Sequence, residues 1–179
     1  MLYAFYPELA STNDEAKRLY RLGFPLPVCL VAERQTSGRG SHGRSWHSDA
    51  EEGLYYSFLL KPMRFSHERT AQYVYQSAFL VGQVIYRLTG LSATIKRPND
   101  LLISGKKVCG ILLETVAGSD SEMPDYVIIG VGLNLNQDAF PVEISQSATS
   151  LKLVSGETYS KNLFIDGLTR ELRYVFERD

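Results

Sequence analysis

Apolar residues recur along this chain with two different periods, and the switches between those periods outline its elements. Leu2 to Tyr6 reads as a short strand. Behind it, Ala16, Leu19 and Tyr20 stand at helical spacing, with Ser11 and Thr12 placed as helix-start residues. Thr12-x-x-Glu15 fits a capping box, and Gly23 is placed to end the helix. Val28 to Ala32 is a short apolar run, read as a buried strand, and Gln35 to His47 is a loop rich in glycine and arginine. Leu54 to Leu60, dense in Leu, Tyr and Phe, is a further strand. The longest helix is predicted from about His67 to Leu88, where Ala71, Val74, Ala78, Val81 and Ile85 recur at helical spacing and Gly90 follows as a stop. Ala93 to Lys96, Leu101 to Ile103 and Val108 to Thr115 read as three strands, with Ser104-Gly105-Lys106 as the tight turn between the last two. A polar loop from Ala117 to Pro124 leads into a strand from Tyr126 to Leu135, and a final helix is predicted from about Lys161 to Phe176. Hairpins outnumber β-α-β units in this order. The pattern therefore predicts an α+β fold with a mixed, mostly antiparallel sheet packed with helices.

Composition narrows the picture. With 179 residues, 44% of them hydrophobic, the chain can bury one core, so a single domain over residues 1–179 is expected. A formal charge of −1 argues against a broadly basic nucleic-acid binder. No apolar run approaches the ~20 residues that a membrane span needs. The first residues show neither the basic nor the apolar region of a secretory signal, so no membrane association is expected. Cys29 and Cys109 make no disulfide framework and no CxxC pair. Both stand in apolar runs and read as reduced core thiols, which fits a cytoplasmic protein.

The cations are not spread evenly. Glu33 to His47 nets +2 and Lys96 to Lys107 nets +3, so the rest of the chain nets −6. Glycines at Gly38, Gly40 and Gly43 interleave the first of these segments. They would let the backbone take positive φ and approach a ligand closely. Successive N–H groups in such turns make anion-binding concavities, and arginine adds a planar fork that matches phosphate oxygens. The pattern suits an anion such as a phosphate or carboxylate, although a solvated basic loop has the same composition. A P-loop is excluded by the missing GxxxxGK[ST], and Gly130-Val131-Gly132 is followed by Leu135 where a Rossmann fingerprint needs glycine. There is no GxSxG elbow, and His42, His47 and His67 lack HExxH spacing.

Taken together, six strings resemble biotin protein ligase, in order and with compatible gaps. They are S-T-N (Ser11 to Asn13), Q-T-S-G-R-G-S-H-G-R-S-W (Gln35 to Trp46), K-R-P-N-D (Lys96 to Asp100), G-K-K-V-C-G-I-L-L-E (Gly105 to Glu114), G-V-G-L-N-L-N (Gly130 to Asn136) and A-T-S-L (Ala148 to Leu151). The resemblance spans nearly the whole chain. It implies an ATP- and magnesium-dependent ligase that forms biotinyl-5′-AMP and transfers biotin to a lysine of a biotin carboxyl carrier domain of a carboxylase. Within the same superfamily, a ligase for lipoate, octanoate or a related acid is the alternative, and a catalytically weak biotin-binding protein is a second one.

The resemblance assigns roles residue by residue. Ser11, Thr12, Asn13 and Gln35 would meet the ureido ring of biotin, a neutral group that needs neutral donors and acceptors. Ser11 and Thr12 can equally cap a helix. Arg39, catalytic together with Lys107, and Gly40 would lie over the activated carboxylate and phosphate, Ser41 would stand among the biotin contacts, and Arg44 would hold ATP phosphates. Trp46 would stack beside the adenylate, or serve as core. Lys107, spaced K-x-x-G from Gly110, would be the catalytic lysine that offsets charge developing at phosphorus. Lys106 would be a turn residue. Asn99 and Asp100 would serve the phosphates and Mg²⁺, Asp100 as its carboxylate ligand. Asn134 would lie near the ribose or phosphate. Leu112 would line the biotin tail pocket or the core, and Gly130 and Gly132 would leave room for ligand or mark a bulge.

Three departures from the family pattern stand out. Ser41 replaces the second arginine of G-R-G-R, which predicts weaker retention of biotinyl-AMP. Arg97 replaces the tryptophan of K-W-P-N-D and adds charge beside the expected site. The small C-terminal β-barrel and the N-terminal winged helix-turn-helix of many relatives are expected to be absent, and with them a DNA partner. The oligomeric state is left open by the sequence.

Overall fold

The computed structural model describes residues 1–48, 51–63, 65–117 and 123–177. Seven strands, β1 (Leu2–Leu9), β2 (Val28–Gln35), β3 (Leu54–Leu60), β4 (Thr94–Lys96), β5 (Asp100–Ile103), β6 (Lys106–Ala117) and β7 (Pro124–Leu133), form one sheet. Their order is β1-β2-β3-β7-β6-β5-β4. Only β1 and β2 run parallel, joined by the helix α1 (Thr12–Arg21); the other pairs are antiparallel. The mixed, mostly antiparallel sheet is the one that the hydrophobic pattern predicts.

Helices cover both faces of the sheet. On one face, Ala16 and Leu19 of α1 pack on Val28, Leu30, Leu59, Tyr126 and Ile128. On the other lie α2 (Thr70–Thr89) and α4 (Lys161–Leu172), whose Val81, Ile85, Phe164 and Leu168 meet Cys29, Val31, Phe58, Ile129 and Val131. Residues of β2 and β7 alternate between these two cores, so neither face is polar. That double burial is why β3, Leu-Tyr-Tyr-Ser-Phe-Leu-Leu, is buried at every position.

Local chemistry sets the ends. Gly23 and Gly90 both take positive φ, 70° and 73°, where α1 and α2 stop. Ser104 and Gly105 take φ of 50° and 78° and turn β5 into β6, so Lys106 is the first residue of β6 rather than part of the turn. The capping box is not formed. Ser11 is the N-cap residue and makes no side-chain cap bond, while the Thr12 hydroxyl is engaged by Gln35 and Ser57. Glu15 turns instead to Arg18 and Tyr6.

Several boundaries differ from the sequence reading. β1 runs on to Leu9 and β2 to Gln35, because their parallel ladder continues to the Leu9–Gln35 pair. A 3₁₀ turn, His67–Arg69, precedes α2, and β7 ends at Leu133. The final helix breaks at Arg173 into α4 and α5 (Tyr174–Glu177). A short helix, α3 (Leu151–Ser155), was not predicted; the Ser150 hydroxyl caps it by accepting from the Leu153 N–H at 3.0 Å. Of the polar loop expected at 117–124, residues 118–122 lie outside the described residues. Among the described residues, no helix is long and apolar enough to cross a membrane.

Candidate functional site

A cavity of about 410 Å³ opens where α1, the end of β2, the loop after it and strands β5, β6 and β7 converge. That is ample for a drug-sized ligand. Ser11, Thr12, Asn13, Gln35, Arg39, Gly40, Ser41, Arg44, Trp46, Asn99, Asp100, Lys107, Gly110, Leu112 and Asn134 all line it. The structure thus gathers every residue that the resemblance singles out. They come from segments up to 123 positions apart, Ser11 to Asn134.

One end of the cavity is neutral and buried. Ser11, Thr12 and Asn13 are almost fully buried at the start of α1. The Thr12 backbone N–H donates to Gln35 Oε1 at 2.8 Å, and Thr12 Oγ1 lies 3.2 Å from the same oxygen. This fixes the Gln35 amide with its acceptor end toward α1. Ser57 Oγ, behind the wall, sits 2.7 Å from Thr12 Oγ1 and 2.6 Å from Asn13 Oδ1. Asn13 Nδ2 donates to Glu114 Oε2 at 2.7 Å, and the Lys17 ammonium holds Glu114 Oε1 at 2.7 Å. Burial alone would push the Glu114 carboxyl up. The bonds from Lys17 and Asn13 outweigh it and hold it below the usual carboxylate range.

The other end is cationic. Lys96, Arg44 and Lys107 line the cavity with one carboxylate, Asp100. Lys107 Nζ pairs with Asp100 Oδ1 at 2.7 Å and stands 5.0 Å from the centre of the Trp46 ring. Arg44 folds back on Ser41, donating to its carbonyl at 3.2 Å and to its hydroxyl at 2.9 Å. Asn99 Nδ2 donates to the Ile111 carbonyl at 2.9 Å and lies 3.3 Å from Ser41 Oγ. Arg39, half-exposed at the rim, pairs with Asp14 and reaches Glu114 at 3.3 Å.

The loop between β2 and β3 is tied to itself rather than open. Gly40 N–H donates to Arg44 O at 2.7 Å and Trp46 N–H to Gly38 O at 2.8 Å, around a 3₁₀ turn at Ser41–Gly43. Of its four glycines, Gly38, Gly40, Gly43 and Gly53, only Gly43 takes positive φ. Gly38 serves close packing, since a Cβ there would lie 2.6 Å from the Trp46 carbonyl. Those two N–H groups are spent inside the loop, and the Arg39 and Arg44 side chains add positive charge to it.

The strand glycines make room for side chains of the site. A Cβ on Gly130 would lie 3.0 Å from Asn13 Cγ, and one on Gly132 2.6 Å from Trp46 Nε1. Neither glycine marks a bulge: the register shifts fall at Leu101/Leu102 and Val116/Ala117. Trp46 Nε1 is buried and has no hydrogen-bond partner among the described residues. Asn134 pins the A-T-S-L segment, donating to Thr149 O at 3.0 Å, while Lys107 N–H donates to Ser147 O at 2.7 Å. Arg97 does not line the cavity; its guanidinium lies 4.8 Å over the Tyr75 ring on α2. Sequence reasoning missed Ser57, Tyr55 and Tyr56, whose strand reads as a uniform apolar run. It also missed Glu114 as an acceptor, although its string was in view.

A model of the biotin/lipoate A/B protein ligase family matches residues 10–134, most of the chain. The chain belongs to that family. As a biotin/lipoate ligase family member it is 38% identical over 172 residues to a bifunctional ligase/repressor of Bacillus spizizenii, covering 95% of this chain and 51% of the relative. It is 31% identical over 148 residues to a biotin–[acetyl-CoA-carboxylase] ligase of Mycobacterium tuberculosis, covering 81% and 52%. The chain thus spans about half the length of these relatives. Among solved structures, it superposes on a biotin protein ligase of Aquifex aeolicus in complex with biotin and ATP. The TM-score is 0.81 and the identity 31%, over 99% of this chain and 73% of that one.

Proposed function

We propose that this chain activates biotin with ATP to give biotinyl-5′-AMP and pyrophosphate, and then passes biotin to a lysine of a carboxylase carrier domain. The observation that carries this reading is the polarity of one cavity. A neutral end, with Thr12 and Gln35 as fixed acceptor and donor partners, suits a cyclic urea. A cationic end, with Lys107 and Arg44, suits a carboxylate meeting a phosphate. The named activities of the Bacillus, Mycobacterium and Aquifex relatives support the same reading.

The chain's own residues supply position and charge. Lys107 offsets the charge that grows as the biotin carboxylate attacks phosphorus, and no side-chain nucleophile is needed. Trp46 Nε1, buried without a partner among the described residues, offers a donor to the bound nucleotide. Asp100 fits Mg²⁺ that arrives with ATP, because that ion uses one or two carboxylates plus substrate phosphates rather than an all-protein cage. The ion would supply charge neutralisation on the phosphates. Ser41, whose hydroxyl accepts from Arg44 and Asn99, brings no charge where the family pattern has a second arginine, and the adenylate is expected to be retained less tightly for it.

Acid-dependent ATP–pyrophosphate exchange tests the reading, with biotin, lipoate and octanoate in parallel. Exchange with biotin alone is expected, falling by roughly 10²–10³-fold in Lys107→Met. Exchange with lipoate or octanoate instead would move the substrate to another acid of the family. No exchange with any acid would overturn the assignment of adenylation.

A further inference from the structure

The hydrogen bonds behind the neutral end of the cavity run in one direction, and the direction is fixed by counting protons. Glu114 is a carboxylate and only accepts, so Asn13 must turn Nδ2 toward it, at 2.7 Å. Asn13 Oδ1 therefore faces Ser57, 2.6 Å away, and that oxygen also only accepts. Ser57 has a single proton and must spend it there. Two hydroxyl protons then serve three contacts, and with the Ser57 proton spent at Asn13 the Thr12 proton goes to Ser57 Oγ at 2.7 Å rather than to the more distant Gln35 Oε1 at 3.2 Å. Were Ser57 to donate to Thr12 instead, two lone pairs would face each other across 2.6 Å at Asn13. Gln35 Oε1 keeps the Thr12 backbone N–H at 2.8 Å as its donor when the hydroxyl proton turns to Ser57.

We propose that Glu114, Asn13 and Ser57 form a one-way relay that holds the Thr12 proton out of the cavity, so that Thr12 meets a ligand only as an acceptor. The proposal rests on the reading of the cavity as a biotin site and names how its specificity is set. A ureido N–H finds a lone pair there, while a ligand presenting an acceptor at the same place meets repulsion. Glu114 does not line the cavity and is a positioning residue, 101 positions from the side chain whose orientation it fixes. Its ionised state is secured by Lys17 at 2.7 Å and by Arg39 at 3.3 Å. Gly130 belongs to the same device, since only a residue without Cβ leaves the Asn13 amide its place on β7.

A double-mutant cycle tests the relay, read as the Kd for biotin by titration calorimetry of the full chain. Glu114→Gln keeps the size of the side chain but can donate as well as accept, so the Asn13 amide loses its fixed direction. It is expected to weaken biotin about tenfold, the value of one well-oriented hydrogen bond. In a Thr12→Val background, which has no hydroxyl to orient, the same change is expected to alter Kd less than about twofold. Ser57→Ala, a smaller change at a buried position, is expected to show the same dependence on Thr12 with a smaller loss. Additive losses, equal in both backgrounds, would overturn the relay and leave biotin binding intact. Failure of the unsubstituted chain to bind biotin would overturn the site reading itself, and the relay with it.

Discussion

Trp46 carries much of the site at the scale of single residues. It is the only tryptophan in the sequence, it lies against the backbone at Gly110 and Gly132, and the Lys107 ammonium stands over its ring. Its emission therefore reports directly on the cavity. A Cβ at Gly132 would come 2.6 Å from Nε1 and 2.8 Å from Cζ2, too close for the ring to stay where it is. Gly132→Ala is expected to red-shift the apo emission by moving the indole toward water and to reduce the exchange activity, with the circular dichroism spectrum preserved. An emission spectrum identical to the parent would show that the ring does not rest on β7. The residues that line the cavity were legible in the sequence because their chemistry is unusual for a surface: clustered cations, glycines and small polar groups in a few short strings. What was not legible is who bonds to whom. Ser57 sits in an apolar strand and gives no signal of its own. Glu114 bonds to Asn13 from 101 positions away, a pairing that only the sheet creates. Arg97, a charged departure in the middle of a site motif, turns away to Tyr75, and no local pattern announces that direction.

Elements show the same division between local and non-local causes. Turns and helix stops were legible because they depend on one or two residues: Gly23, Gly90 and Ser104-Gly105 each adopt the positive φ that their position requires. Strand ends were less so, because a strand continues as far as its neighbour pairs with it. The parallel β1–β2 ladder therefore outruns both apolar runs. The short α3 depends on a single Ser150 cap and has too few turns to show a period. Two helix glycines allow a sharper test. Gly82, inside α2, has room: a Cβ would meet Leu101 Cδ2 at 3.7 Å, an ordinary contact. Gly82→Ala is expected to raise stability by about 0.5–1 kcal/mol, through helix propensity and a less flexible unfolded chain. Gly167, inside α4, has none: a Cβ would lie 2.9 Å from Cγ1 of the buried Val84 on α2. Gly167→Ala forces the two helices or the stiff valine to shift and is expected to cost about 1–3 kcal/mol. Urea unfolding curves with equal m-values decide both. Like signs for the two substitutions would mean that the α2–α4 contact is softer than its geometry.

For the whole molecule, the two cysteines connect the core to the site. Cys29 lies in β2 within hydrogen-bond reach of Tyr56 at 3.3 Å and Thr169 at 3.4 Å, and Cys109 lies in β6 two residues after Lys107. Both are fully buried. Burial pushes both thiols up from their ordinary value, and for Cys29 it outweighs the bonds from Thr169 and Tyr56. A raised pKa keeps the proton on sulfur at neutral pH, and the thiolate is the species that attacks a disulfide reagent. Reaction therefore requires the chain to open. The two thiols stand on opposite sides of β3 and β7 in the strand order, within one core cluster, so neither can be reached by fraying an edge. Both are expected to react at one common rate set by global opening. A ligand that binds only the folded state slows that rate by 1 + [L]/Kd, about a hundredfold at a hundred times Kd. Timed labelling with an aromatic disulfide, with and without biotin and ATP, measures this. Rapid reaction of either thiol in the native protein would show a local opening in the sheet beside Lys107 or under α4. Equal slow rates that biotin and ATP leave unchanged would show that the cavity binds neither. A common rate slowed by both would tie the stability of the entire sheet to the ligands held at its one end.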